Sequence, residues 1–186
     1  MYIKKIFNTV LIFCFFLSPS FSLAASCSKD GYTVFFLNGV WNKDEKAVSD
    51  NAMSLAGLYQ DIKDKTLNSE EIKFDHLYNP SHLGGAGDVL AAGVQKSAES
   101  LGLYLNDVDL IGVQNQIAEK LQTQKFIIVS HSQGNLYANA FVSSSGLANS
   151  PSFKIYPVAS PASYNAASFN NLYTTSVNDK VIVGGV

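Results

Sequence analysis

Arginine is absent from this chain: all 13 basic residues are lysines, set against 15 acidic ones for a formal charge of -2. A lysine ammonium is a point charge and cannot make the planar two-pronged grip that arginine offers a phosphate. With no basic cluster either, nucleic acid is not an expected partner. Charge is scarce overall, at 15% of residues against 47% hydrophobic ones, which describes a globular rather than a disordered chain. Cysteine is nearly missing, with only Cys14 and Cys27, so no disulfide framework organises the fold. His76 and His82 lack the spacing of helical metal ligands, and the nearby carboxylates are scattered. Gly84-Gly85-Ala86-Gly87 lacks the Lys-Ser/Thr pair that a phosphate-binding loop needs and reads as a flexible connection. Neither a metal nor a cofactor is expected.

Also missing is a hydrophobic run long enough to cross a bilayer, which takes ~20 residues. The apolar stretch Ile6 to Leu17 is 12 residues long; it follows Lys4 and Lys5, is broken by Ser18-Pro19, and leads to Leu23-Ala24-Ala25. This is the pattern of a secretory signal peptide, so residues 1–25 are expected to be removed and residues 26–186 to form one exported domain. Cys14 would leave with the signal, making Cys27 the only thiol. A lone cysteine in an exported chain invites intermolecular pairing or modification. Leu23-Ala24-Ala25-Ser26-Cys27 resembles a bacterial lipoprotein signal, with Ala24 where leucine is usual three before the cysteine. That resemblance implies a lipid on Cys27 and attachment to a membrane of the bacterial envelope.

In the remainder, strand-like and helical periodicities alternate without repeats. Tyr32 to Leu37 is a β-branched and aromatic run ended by Asn38-Gly39 and predicts a buried strand. Asn42 is placed to cap the next helix, with Glu45 three residues on completing a capping box. Val48, Ala52, Leu55, Tyr59 and Ile62 then fall on one helical stripe that should cover a sheet. Ile72 to Tyr78 predicts a second strand and Pro80 to Gly87 a loop; Asp88 then starts a helix with Leu90, Val94, Leu101 and Leu105 on one side. Asp107 begins another, with Leu110, Ile117 and Leu121. Phe153 to Val158 and Leu172 to Val177 are further strand candidates around a loop containing Pro161. Strands alternating with helices imply an α/β fold: a three-layer αβα sandwich around a mostly parallel sheet with right-handed crossovers.

The chemistry-bearing segment is Lys125 to Gly134, KFIIVSHSQG, an apolar run that stops at a serine between small residues and continues at helical spacing from Asn135 to Phe141. Such a sequence makes a nucleophile elbow. The strand turns sharply into a helix, the serine takes a strained conformation with its hydroxyl above the sheet, and the residues two before and two after must be small. Here these are Ser130 and Gly134 around Ser132, with serine in place of the usual first glycine.

His131-Ser132-Gln133-Gly134-Asn135, together with Phe35 to Val40 and Val177 to Val181, resembles the α/β-hydrolase superfamily, and within it exported bacterial lipase- or esterase-like proteins. The resemblance implies acyl transfer through an acyl-enzyme, with Ser132 as nucleophile and Asp179 as the acid that orients a histidine. It implies an oxyanion hole made by the backbone N–H groups of Val40 and Gln133, on a turn built by Asn38 and Gly39. An ester, including a lipid ester, is the expected substrate. Phe35, Phe36 and Trp41 are candidates for an acyl pocket, although aromatics beside a strand also make ordinary core.

In this superfamily the histidine follows the acid along the chain, and no histidine follows Asp179. His131, just before the serine, should point away from its hydroxyl, and His76 reads as a satisfied core or edge residue. His82, in the loop after the second strand, is left as a substitute base. A chain that stops before the final strand, helix and histidine is one expectation; a family member that kept the scaffold and lost the chemistry is the other. The first leads to a serine esterase, the second to a non-catalytic envelope protein that binds an apolar ligand.

Overall fold

A computed structural model describes residues 27–39, 44–63, 70–80 and 108–176. Among these residues, four parallel strands form one sheet in the order β2-β1-β3-β4: β1 is Tyr32–Leu37, β2 Ile72–Leu77, β3 Phe126–His131 and β4 Phe153–Val158. Helix α1 (Glu45–Lys63) lies on one face, and α2 (Val108–Lys120) and α3 (Gly134–Ser145) lie on the other. The fold is an α/β three-layer sandwich.

Each element follows from its residues. β1 is central and reads as an unbroken apolar run because both its faces are covered; Thr33, Phe35 and Leu37 are fully buried and Val34 nearly so. Phe35, Leu37, Phe126, Ile128, Phe153 and Ile155 meet α2 and α3 in the main core, where the Phe153 ring packs 4.6 Å from Phe126 and 5.8 Å from Phe141. On the opposite face Val48 and Ala52 of α1 are buried against the sheet, and Tyr59 stacks on Phe74 of β2 at 5.6 Å. Pro157 is tolerated in β4 because this strand has an irregular outer edge. The N–H of Ile155, two residues earlier and so on the same side, points outward to Ala167 O at 3.1 Å, and the donor that Pro157 lacks belongs to that outer row.

Several boundaries differ from the sequence expectation. The helix cap is Asp44, whose Oδ1 accepts the Ala47 N–H at 2.9 Å, so Glu45 sits in the first turn instead of completing a box with Asn42. Asn42 itself lies outside the described residues. Ile62 is 55% exposed and does not join the buried stripe. The expected strand from Leu172 is not formed over 172–176. A 3-10 turn at Phe169–Asn171 precedes it, and only Thr174 makes an isolated parallel bridge, to Val158. Leu172 and Tyr173 are 55% and 62% exposed: the apolar pattern finds no face to bury. The helix expected from Asp88 and the signal peptide lie outside the described residues. Among the described residues, no helix is long and apolar enough to cross a membrane.

The start of α1 is tied to the sheet edge by charge. His76 Nε2 lies 3.0 Å from Glu45 Oε1, and Lys120 Nζ donates to the His76 carbonyl at 3.0 Å. The His76 hydrogen bond is the main cause holding the Glu45 carboxyl below its ordinary range. A lowered carboxylate pKa stabilises the fold above the unfolded value of about 4.3, and the contribution is lost as pH falls through the folded value. Glu45→Gln is therefore expected to destabilise at pH 7 by less than about 1 kcal/mol, because the pair is exposed, and to have no effect near pH 2; urea titrations at both pH values check this. In the core, Phe153→Ala should cost about 3–5 kcal/mol by removing a fully buried ring. An unfolding midpoint within error of the parent would contradict that packing.

Candidate functional site

The strand order places the site. From β1 the chain crosses to β2 on one side, and from β2 it returns past β1 to β3 on the other, so the winding reverses between β1 and β3. In open parallel sheets such a reversal leaves a crevice beyond the carboxyl ends of the two strands, where ligands bind. The two segments flanking it are Asn38-Gly39, which follows β1, and Ser132, which follows β3.

Ser132 has φ +54°, the left-handed region, a conformation costing a non-glycine residue of order 1–3 kcal/mol. Its backbone is held from both sides. The Ser132 N–H donates to Val158 O at 3.0 Å, and the Ser132 carbonyl accepts from the Asn135 N–H at 3.0 Å and from Asn135 Nδ2 at 2.8 Å. α3 starts two residues later, and the N–H groups of Asn135 and Leu136 in its first turn donate to the carbonyls of Ser132 at 3.0 Å and Gln133 at 2.9 Å.

Two glycines allow the close approach. A Cβ on Gly39 would lie 2.5 Å from Ser132 Cβ and 3.1 Å from Ser132 Oγ, so the turn after β1 rests directly against the serine. A Cβ on Gly134 would lie 2.8 Å from the carbonyl oxygens of Leu37 and Asn38, so α3 packs against the end of β1 only without a side chain there.

Ser130 does more than fit a small space. It is fully buried, and its hydroxyl donates to Asn135 Oδ1 at 2.7 Å; glycine would leave that acceptor without this donor. Asn135 Nδ2 also reaches Val158 O at 3.0 Å, so a single amide ties β3, the elbow and the end of β4 together. Beneath the turn lies a second group of amides, Asn38, Asn79 and Gln133, each 1% exposed. Asn38 Nδ2 donates to the carbonyls of Gly39 (2.8 Å) and Asn79 (3.1 Å); Asn38 Oδ1 accepts from the Asn79 N–H (2.7 Å); Asn79 Nδ2 donates to Gln133 Oε1 (3.1 Å). Sequence reasoning named Asn38 and Gln133 but neither Asn135 as a support nor Asn79. Polar residues in an otherwise apolar first helical turn point to the former; nothing local marks the latter.

The three histidines have different fates. His76 is at the β2 edge with Glu45 and Lys120. His131 alternates with Ser130 along β3 and lies on the α1 face, where it lines a cleft of about 470 Å³ together with Phe36, Leu55, Leu58, Val129 and Val158. Phe36 therefore lines a cavity, whereas Phe35 is core. His82 lies outside the described residues, as do Val40, Trp41 and Asp179. The described chain ends at Ser176, two residues beyond Thr174, whose carbonyl accepts the Ala159 N–H at 2.6 Å at the crevice end of β4. Cys27 sits at the opposite edge: it is half-buried, its Sγ donates to Leu121 O at 3.5 Å, and Ser28 next to it bridges Thr123 ahead of β3. Among the described residues no group of three or more metal-ligating side chains gathers.

No family model, curated protein or solved structure matches this chain.

Asn135→Leu preserves volume but removes the acceptor of the Ser130 hydroxyl and two donated bonds. The carbonyls of Ser132 and Val158 keep their backbone donors, so the cost is set by the Ser130 hydroxyl left unpaired, about 1–3 kcal/mol in urea unfolding. A loss under 0.5 kcal/mol would mean that this amide does not hold the elbow.

Proposed function

We propose that this chain is an exported serine hydrolase of the α/β-hydrolase type, acting on carboxylic esters through an acyl-enzyme on Ser132. The observation that carries the reading is the left-handed Ser132 backbone with the Gly39 turn pressed against its side chain. Strain of this kind persists only where surrounding structure enforces it, and it clusters at reacting groups. The position agrees with the crevice rule for parallel sheets.

The reaction runs in two halves. Ser132 Oγ attacks the ester carbonyl carbon while its proton passes to a general base; the tetrahedral intermediate then collapses as the base gives that proton to the leaving alkoxide, releasing the alcohol and leaving the acyl group on Oγ. Water, deprotonated by the same base, attacks the acyl-enzyme, and the base returns the proton to Ser132 Oγ as the acid leaves. The negative oxygen of both tetrahedral intermediates is held by the N–H groups of Gln133 and Val40, each worth about 3 kcal/mol of barrier. Asp179 orients the base. The resemblance puts that base on a histidine after the acid; within this chain His82 is the substitute, and His82→Ala separates the two by abolishing or sparing the reaction. Lipidation of Cys27 would hold the enzyme at a membrane, at the edge of the sheet away from Ser132.

The second reading is a non-catalytic protein that binds an apolar ligand. It is favoured by the cleft beside His131, whose volume of about 470 Å³ falls in the ~300–1,000 Å³ range of ligand sites.

A fluorophosphonate probe distinguishes the two. The hydrolase reading expects one covalent adduct on Ser132 by peptide mass, absent in Ser132→Ala. Folded protein that takes up no probe would end it and leave the binding protein.

A further inference from the structure

We propose that Asn79 is a positioning residue: its side chain sets the distance between the two backbone segments that would hold the oxyanion. This inference rests on the hydrolase reading for its chemical consequence, while its structural content stands on the hydrogen bonds alone.

Those two segments come from different parts of the chain. One is the turn after β1, at Asn38-Gly39; the other is the start of α3, at Gln133. Within a parallel sheet the ladder holds neighbouring strands at a fixed spacing, but both segments have already left the ladder. β1 ends at Leu37 and β3 at His131. Beyond those ends something else must set the spacing, and Asn79, two residues past β2, lies where it can do so.

Its backbone engages the first segment and its side chain the second. Main-chain N–H and C=O of Asn79 bond to Oδ1 and Nδ2 of Asn38, at 2.7 and 3.1 Å, which makes a reciprocal pair with a fixed orientation. Asn38 Nδ2 also bonds the Gly39 carbonyl at 2.8 Å, so the orientation passes into the turn. Asn79 Nδ2 then donates to Gln133 Oε1 at 3.1 Å. All three residues are 1% exposed, so water does not offer Asn79 an alternative partner at low cost. The bridge is thus directional at each joint. An apolar residue of equal size would fill the volume but would let the turn and the helix start slide against each other.

Oxyanion donors act on the transition state and hardly at all on the bound ester. A residue that only positions them should therefore alter kcat and leave KM alone. Asn79→Ala keeps the backbone pair with Asn38 and removes the side-chain bond to Gln133. With p-nitrophenyl acetate it is expected to lower kcat about 10- to 100-fold, less than the ~10²–10³ for loss of a whole donor, with KM within about twofold. Gln133→Ala retains its backbone N–H and removes the same bond from the other end. It should reproduce the loss, and the double variant should be no slower than either single one.

Amide hydrogen exchange gives a readout independent of activity. In Asn79→Ala the amides at position 79 and of Leu136, which are bonded to Asn38 Oδ1 and to the Gln133 carbonyl, should exchange at least ~10-fold faster while that of Ile128, in the middle of β3, is unchanged. If the parent protein hydrolyses the ester and Asn79→Ala keeps its kcat, the positioning role is overturned. If the parent is inert but exchange rises at those two amides only, the bridge stands and the hydrolase reading falls. Unchanged exchange at those two amides overturns the bridge whatever the activity. Should Asn79→Ala fail to fold, the same kinetics and exchange on Gln133→Ala decide in its place.

Discussion

Everything at the crevice depends on one close approach, between the backbone at Gly39 and the side chain of Ser132. It requires β1 and β3 to be neighbours in parallel register, with Leu37 opposite Ser130. It requires no Cβ at Gly39, and none at Gly134, where α3 presses on the carbonyls of Leu37 and Asn38. Glycine is intrinsically poor at a helix start that must be rigid, because it loses the most conformational freedom on folding. Its presence at both contacts is explained by distance alone. The left-handed Ser132 is the third member of this arrangement: a right-handed residue there would carry the chain onward instead of turning it into α3. The strain is offset by the bonds from Val158 O and Asn135, so the elbow is stable only as part of the whole crest.

The crest is polar, and its polarity has a structural logic. Where strands end, their carbonyl and N–H groups lose the ladder that satisfied them, yet at this edge they remain buried. Amide side chains take over. Asn135 satisfies the carbonyls of Ser132 and Val158, Asn38 those of Gly39 and Asn79, and Asn139 reaches out to Tyr164 O and the Ala166 N–H, both at 2.8 Å. Each of these asparagines is 1% exposed. An amide offers two donors and an acceptor with two lone pairs in a plane, so it can bind two backbone segments at set angles. Apolar packing resists separation but not sliding; a fully satisfied polar network resists both. The sheet core supplies most of the stabilisation, and the amides decide how the loops sit on it.

How much of this was legible depended on whether the cause was local. β1 and β4 were legible to the residue because a short β-branched run bounded by turn residues has few alternatives. The elbow was legible because its small flanking residues are a steric demand written within five positions. α3 ends at Gly146, whose φ of +71° is one that glycine adopts freely. Leu172 to Val177 misled because a strand-like composition specifies a strand only if some sheet face is there to bury it, and Leu172 and Tyr173 are left outside. The α1 cap misled by two residues, since Asn42 and Asp44 are both good caps and local pattern does not choose between them. Ser130 was seen as a tolerated substitute for glycine, and its hydroxyl bond to Asn135 emerges only from three-dimensional contact. Asn79 is the limiting case. Its partners are 41 and 54 residues away in the chain, so no local pattern could disclose it.

A left-handed residue is not by itself a sign of chemistry, and this molecule contains the comparison that shows why. β3 and β4 both end in one: Ser132 at φ +54° and Ala159 at φ +46°. Both bends arise from the same need, to turn a strand off the crest, and Ala159 is likewise pinned, its N–H bonded to Thr174 O. Ala167 and Asn170 on the outer side of β4 are left-handed too. What separates Ser132 is the conjunction around it. Its side chain bears a hydroxyl, it abuts a turn stripped of its Cβ, and it stands two residues before a buried helix that packs through Gly134 on the end of β1. Ala159 has the bend without any of these. Strain explains how the backbone at 132 is held, and it is the chemical content of the space it faces, set by Gly39, Gln133 and the amides behind them, that makes a reacting serine the economical reading of it.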